Sequence, residues 1–69
     1  MKKGIYRHFK GELYKVIDVA RHSETEEQFV IYHNIKNPDQ LWIRPLSMFN
    51  ETVEKEGLKI KRFEYLGNE

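Results

Sequence analysis

The chain has 69 residues, no cysteine, nine aromatic side chains (four Phe, four Tyr and one Trp) and a formal net charge of +1. This length suits one small domain, and the lack of cysteine excludes a disulfide framework and a thiolate zinc site. The near-neutral charge gives no bulk electrostatic case for binding nucleic acid or a membrane surface, and no apolar run is long enough to cross a bilayer.

Short apolar segments, separated by turn residues, predict three strands in the first half of the chain, and no segment has a helical pattern. The strands are expected at residues 4–9, 13–22 and 28–34. Turn residues at 10–12 join the first two strands, and the polar run at 23–27 joins the second to the third. The third segment is rich in β-branched and aromatic residues, as strands are.

The second half begins with a turn at residues 36–40, followed by a fourth strand at 41–44. Pro45 ends this strand because it has no N–H to donate. Residues 45–49 then form one predicted helical turn, with Leu46 and Phe49 three positions apart on the same side. A closing hairpin is expected from residues 51–55 and 58–66, turning at Glu56 and Gly57.

Five or six short strands with one helical turn are too little chain for a full-size β-sandwich. We therefore predict an all-β fold, a strongly bent sheet that closes into a small SH3-like barrel and so hides its edges. The alternative is an OB-type barrel, which needs a longer helix between strands. The single domain spans residues 1–69, with a frayed tail at 67–69, and Leu46 and Phe49 plug one end of the barrel.

Several motifs follow one another along nearly the whole chain. They are Gly4-x-Tyr6-Arg7-His8-x-Lys10-Gly11, Tyr14-x-Val16, Ala20-Arg21-His22-Ser23-Glu24-Thr25, Val30-x-Tyr32, Leu41-Trp42-x-Arg44-Pro45-x-x-Met48-Phe49 and Arg62-Phe63. Together they resemble an uncharacterised bacterial family catalogued as domain of unknown function 1653. Asp18 and the connection at residues 34–40 depart from its pattern. The resemblance implies a compact β domain and brings no activity with it.

Two Arg-His doublets, Arg7-His8 and Arg21-His22, are candidate binding residues. Neighbours on a strand point to opposite faces, so neither doublet presents both side chains to one ligand without a bulge. If His22 shares the inward face of Tyr14, Arg21 faces outward. The preferred interpretation of His22 is a core or rim histidine that fixes the turn after it.

The polar run that follows, Ser23 to Thr25, lies in no strained nucleophile turn, and His22 as its chain neighbour is not positioned as a general base. Such residues also satisfy backbone groups in tight turns. The histidines, His8, His22 and His33, are 14 and 11 residues apart, which matches no short metal-ligand motif. We predict no catalytic residue, no metal site and no cofactor, so the protein is not expected to be an enzyme.

The segment Trp42-Ile43-Arg44-Pro45 is the strongest candidate for a site. Trp42 and Arg44 share one face of the strand, about 6–7 Å apart, while Leu41 and Ile43 take the other face, which should be core. Trp42 is then at least partly exposed, and Arg44 beside it offers a planar fork for a carboxylate or phosphate. The alternative is a structural cation–π pair that covers the barrel end.

Three functions remain open. The first is a non-catalytic binding module for an anionic small molecule or a peptide carboxylate of a protein partner, in the cytoplasm of a bacterium. Its groove would be lined by Arg7, Arg21, His22, Tyr32, Trp42 and Arg44. The second is a module for single-stranded nucleic acid, which stacks bases on aromatic side chains, although the charge does not favour it. The third is an enzyme of unrecognised type.

Overall fold

Seven strands and one short helix are formed by residues 1–68, the part of the chain that the computed structural model describes. They are β1 (Gly4–His8), β2 (Leu13–Arg21), β3 (Gln28–Asn34), β4 (Trp42–Pro45), α1 (Leu46–Phe49), β5 (Thr52–Lys55), β6 (Leu58–Lys61) and β7 (Phe63–Gly67). An antiparallel sheet has the order β4-β3-β2-β1-β7, and β5 pairs with β6. The predicted small, barrel-like all-β fold with one helical turn is confirmed, and α1 is too short for the OB-type alternative.

The stretch 58–66, predicted as one strand, is two, which is why there are seven strands rather than five or six. The division falls at Arg62. Its backbone N–H donates to the Glu51 carbonyl, and its own carbonyl accepts from the Phe9 N–H, both at 2.9 Å. The bond to Glu51 continues the pairing of β6 with β5, and the bond from Phe9 lies where the chain begins to pair with β1. The predicted turn is confirmed: Glu56 and Gly57 both have positive φ, as two-residue hairpin turns require.

A β-bulge at Ile17 reverses the predicted facing of the second half of β2. Val16 pairs with Tyr32, but Asp18 pairs with Ile31, so Ile17 is the extra residue. Val19 consequently lies opposite buried Val30 and faces inward, as Val16 does. The condition under which His22 would face inward and Arg21 outward, unbroken alternation along this strand, is therefore not met.

Aromatic rings fill the concave side of the sheet. The buried cluster consists of Tyr6, Val16, Val30, Tyr32, Phe49 and Phe63. Phe49, only 1% exposed, stacks on Phe63 with the ring centroids 4.0 Å apart and also meets Tyr6 and Tyr32 edge-on. One ring of α1 therefore joins strands from both halves of the sheet, and half-buried Leu46 packs against the same cluster, at the place where the two residues were predicted to plug the barrel.

The sheet curves round this cluster without closing, so the expectation of hidden edges was wrong: β4 and β7 each pair with one neighbour only. The predicted tail also needs correction, because Gly67 belongs to β7 and Asn68 accepts a hydrogen bond from the Tyr65 hydroxyl at 3.1 Å. Glu69, the last residue of that predicted tail, lies outside the described residues.

Candidate ligand-binding site

The candidate site lies on β4, whose register decides which side chains face inward. Trp42 pairs with Tyr32 and Arg44 with Val30, and residues paired across a ladder share a face. Trp42 and Arg44 therefore share one face, as predicted, but this face is the concave side and not the face away from the core; Trp42 remains 52% exposed. The expectation that Leu41 and Ile43 enter the core was wrong: they are 52% and 64% exposed. The β4 residues that face the aromatic cluster are the tryptophan and the arginine, so no inward position is left for the aliphatic pair.

Trp42, Arg44 and Tyr32 line an open depression of about 580 Å³. Its floor is set by Tyr14 and Tyr32, whose rings meet edge-on with centroids 5.5 Å apart. The β3–β4 connection forms a polar wall that includes Lys36 and Gln40. The depression thus combines aromatic surface, two cations, one carboxylate (Glu12) and amide groups, a mixture suited to a small polar ligand.

Arg44 is half-buried, and its Nε–H donates to the Tyr32 hydroxyl over 3.4 Å, a long and weak bond. The other three arginines each have a carboxylate within 4 Å: Arg7 has Glu64, Arg21 has Glu26 and Arg62 has Glu51. For Arg44, residues 1–68 provide no such carboxylate. Its guanidinium therefore lines the depression with no carboxylate within 4 Å among the described residues, and Glu12 is the acidic side chain of the same lining.

Sequence reasoning missed part of this depression, namely Glu12, Tyr14, Asn34, Lys36, Asn37 and Gln40. The Asn34 side-chain amide donates to Glu12, and the Asn34 side-chain oxygen accepts from the Lys36 backbone N–H at 2.8 Å. These bonds fix the wall of the depression. The inward positions of β2 and β3 could have revealed Tyr14 and Asn34, which pair across the ladder beside Tyr32. The loop residues gave no such signal.

His8 is a half-buried imidazole near this depression, in edge-on contact with Tyr14 and Phe63. Its Nδ1 accepts the Lys10 backbone N–H at 3.1 Å. Burial lowers the pKa of His8, and the positive charges of Arg62, Lys10 and Arg44 lower it further, whereas Glu12 acts in the opposite direction. The cations of this region therefore hold His8 towards its neutral form.

Three of the predicted site residues lie elsewhere. Arg7 is bonded to Glu64 at 3.2 Å and lines a separate depression with Phe9 and Lys61. Arg21 lies at the end of β2, 3.7 Å from Glu26 and beyond the residues that line the Trp42 depression. His22 follows it and is exposed. The structure thus brings Tyr32, Trp42 and Arg44 together and leaves Arg7, Arg21 and His22 outside.

The connection at residues 22–27 is a hydrogen-bonded turn. His22 Nδ1 accepts the backbone N–H groups of Glu24 and Thr25, at 3.1 and 3.3 Å. The Thr25 hydroxyl accepts from the Glu27 N–H at 3.2 Å, and Glu26 adopts φ 63°. These side chains satisfy the backbone of a tight turn, which agrees with the interpretation of His22 as a residue that fixes it.

Across residues 1–68, no group of three or more histidine or carboxylate side chains could hold a metal ion. Within the same residues, no helix has the length and apolar character needed to cross a membrane.

Two proteins are similar in sequence to the whole chain. The chain is 30% identical over 70 residues to elongation factor P of Fervidobacterium nodosum and 31% identical over 71 residues to that of Thermosipho africanus. All of the chain is matched, but it spans only 38% of each of these relatives.

A solved structure from Bordetella bronchiseptica is similar over almost the entire fold. The two chains are 34% identical with a TM-score of 0.87, over 99% of this chain and 90% of the other, and that protein is described as belonging to DUF1653. The sequence profile of the same family, described as protein of unknown function (DUF1653), matches residues 4–65. The resemblance noted in the sequence is thereby confirmed, and the chain belongs to the DUF1653 family.

Proposed function

We propose that this protein is a non-catalytic binding module whose Trp42–Arg44 depression receives an anionic group carried by a small molecule or a peptide. The observation that carries the proposal is the state of Arg44: its guanidinium opens into the depression, and residues 1–68 provide it with no carboxylate. A carboxylate on a ligand can accept two parallel N–H bonds from such a fork.

Trp42 supports the same interpretation. It is the single tryptophan of the chain and is half-exposed next to Arg44, so it offers a flat apolar surface on which a ligand can stack. Lys36 adds a second positive charge to the lining of the depression. Glu12 lies in the same lining, but its carboxylate accepts a hydrogen bond from Asn34. The depression therefore favours a ligand with one acidic group beside an apolar or aromatic body.

The single tryptophan makes a direct test possible. We expect N-acetyl-glutamate to change Trp42 fluorescence and to shift the Arg44 Nε–H signal in NMR spectra, and we expect neutral N-acetyl-glutamine to do neither. Arg44→Ala should abolish the response, and Arg44→Lys should restore only part of it, because an ammonium does not reproduce the planar fork. Arg21→Ala makes the same chemical change outside the depression and should leave the response intact. A response that survives Arg44→Ala would contradict the proposal.

A second candidate function is binding of single-stranded nucleic acid, which the half-exposed Trp42 beside Arg44 and Lys36 favours, because bases stack on aromatic rings next to positive charge. A cytoplasmic setting is part of both proposals. Titration with a uridine octamer at increasing salt separates them. Phosphate contacts make the logarithm of affinity fall steeply and linearly with the logarithm of salt concentration. We expect the octamer to bind weakly, because the net charge is only +1.

A further inference from the structure

Strand β4 has a free backbone edge. It pairs with β3 on one side and is the last strand of the sheet. The backbone hydrogen bonds that residues 1–68 make outside regular strands and the helix include none by residues 41–45. On its outer side, this strand therefore presents N–H and C=O groups that are available to another extended chain.

The same edge carries exposed apolar side chains. Leu41, Trp42 and Ile43 are consecutive and are 52%, 52% and 64% exposed. Edge strands are commonly protected by lysine, by bulges or by inward-pointing charges. β4 has neither lysine nor a register shift, and Pro45 at its end removes a donor. Its one protecting charge is Arg44, which points to the concave side and which an acidic residue on an added strand would neutralise.

The charged side chains at β4 indicate which kind of segment would pair with this strand. Arg44 lies in β4 itself, and Lys36 lines the depression beside it. In the described part of the chain, neither cation has a carboxylate within 4 Å. An occupant that carries an acidic side chain is therefore complementary to this edge, whereas a basic one is repelled.

We propose that β4 accepts an extended segment of a partner protein as an added antiparallel strand, with an acidic residue opposite Arg44. This inference rests on the proposed function, since the acidic side chain is the anionic group that enters the depression. Main-chain hydrogen bonds supply affinity in such strand addition, and alternate side chains supply specificity.

The register of an antiparallel strand specifies the sequence of the segment. The residue opposite Arg44 is acidic, the next lies opposite Ile43 on the outer face and is aliphatic, and the third lies opposite Trp42 and is aromatic. Paired side chains on one face approach within about 4.5–5.5 Å, close enough for an ion pair and for ring contact. The expected recognition motif is thus acidic–aliphatic–aromatic.

The test uses the full chain and a capped peptide, acetyl-Ser-Thr-Glu-Val-Tyr-Thr-Ser-amide. We expect it to shift the Arg44 Nε–H signal and to protect those Trp42–Arg44 amides that exchange fast in the free protein. Exchanging Glu for Lys in the peptide should weaken binding about tenfold or more. Ile43→Lys should weaken it too, because lysine blocks an edge. Leu58→Lys is the matched control, because Leu58 is 68% exposed on β6, and this substitution should not weaken binding.

Backbone methylation distinguishes strand addition from capture of a side chain alone. Successive N–H groups of a strand point to opposite sides, so only one set of the peptide's N–H groups can face β4. We compare one peptide methylated at the Val nitrogen with another methylated at both the Glu and Tyr nitrogens. One of these two peptides should lose binding, and the other should bind as the parent peptide does. If both methylated peptides and N-acetyl-glutamate bind as well as the parent peptide, the added strand is refuted while the anion site stands.

Two other results would overturn the inference. If neither the peptide nor N-acetyl-glutamate binds, the added strand and the proposed function are both wrong. If sedimentation shows that the free protein is a dimer with the β4 amides already protected from exchange, a second copy of the chain occupies the edge instead.

Discussion

The two edge strands of the sheet, β7 and β4, differ in the features that hinder pairing with a further strand. β7 carries Glu64, which is bonded to Arg7 on the neighbouring β1, and the β1–β7 pairing contains a register shift. Both features hinder pairing with a further strand. β4 is uncharged except at Arg44 and exposes Trp42 and Ile43.

The arginines near the aromatic cluster differ in the same way. Arg62 precedes β7, and its side chain, 25% exposed, is bonded to Glu51 at 3.2 Å. Arg44 meets the hydroxyl of Tyr32 and no carboxylate of residues 1–68. Two similar Arg-aromatic pairs thus differ in their partners: a carboxylate holds Arg62, whereas Arg44 has, within the described residues, only a long bond to a tyrosine hydroxyl.

The largest expected effect is on the packing that both sides share. Phe49→Ala removes a ring that is 1% exposed and stacked on Phe63, so it should lower the free energy of unfolding by about 3–5 kcal/mol. That is comparable to the whole stability of a small domain. Thermal melts followed by circular dichroism would measure it. Leu58→Ala truncates an exposed side chain and serves as the control, and an unchanged melting curve for Phe49→Ala would place the ring outside the core.

The next effect tests the β7 side. Gly4 has φ 138°, and a Cβ there would meet the Gly67 carbonyl of β7. Gly4→Ala should therefore destabilise the fold by about 1–3 kcal/mol and loosen the β1–β7 pairing, because both the backbone conformation and the contact exclude a side chain. Hydrogen exchange should show faster opening in β7 than in β3. If hydrogen exchange accelerates equally in β7 and β3, then β7 does not open separately from the rest of the sheet and the prediction is wrong.

The two arginines provide a direct contrast. Arg62→Ala should cost about 1 kcal/mol or more, through loss of the Glu51 contact and of the packing of its stem. Arg44→Ala should change stability by no more than about 0.5 kcal/mol, because water in the open depression can replace the long bond to Tyr32. Urea titrations of both variants would decide. A large loss for Arg44→Ala would identify it as a structural residue and remove the main support for the site.

The smallest effect concerns His8, whose pKa is lowered by burial and by the charges of several cations, including both arginines. Its lowered pKa means that the folded state binds fewer protons than the unfolded state. The contribution of His8 to the free energy of unfolding is therefore fully present at pH values above its pKa in the unfolded chain, about 6.5. This contribution is lost as the pH falls from that value towards the lower pKa of the folded state. His8→Gln should flatten stability over this window. In NMR titrations, Arg62→Ala should raise the pKa of His8 more than Arg44→Ala, because Arg62 is the stronger of the two influences.

Much of the local structure was predictable because it depends on local chemistry. The third strand, residues 28–34, is found where its β-branched and aromatic residues predicted it. The helical turn after Pro45 and the turn at Glu56 and Gly57 follow from backbone restrictions of single residues. The shared face of Trp42 and Arg44 was also predicted, since alternation along a short strand needs only the sequence, but the sequence did not reveal that this face is the concave one.

Other features were decided only by contacts between distant segments. The sequence by itself determined an all-β chain with an aromatic core and placed Trp42 and Arg44 on one face. The tertiary structure decided the bulge at Ile17, which is defined by the pairing of β2 with β3, and the break at Arg62, which depends on backbone bonds to Glu51 and Phe9. It also decided which arginines meet a carboxylate, because an ion pair needs both partners brought within a few ångströms and their spacing along the chain does not specify this.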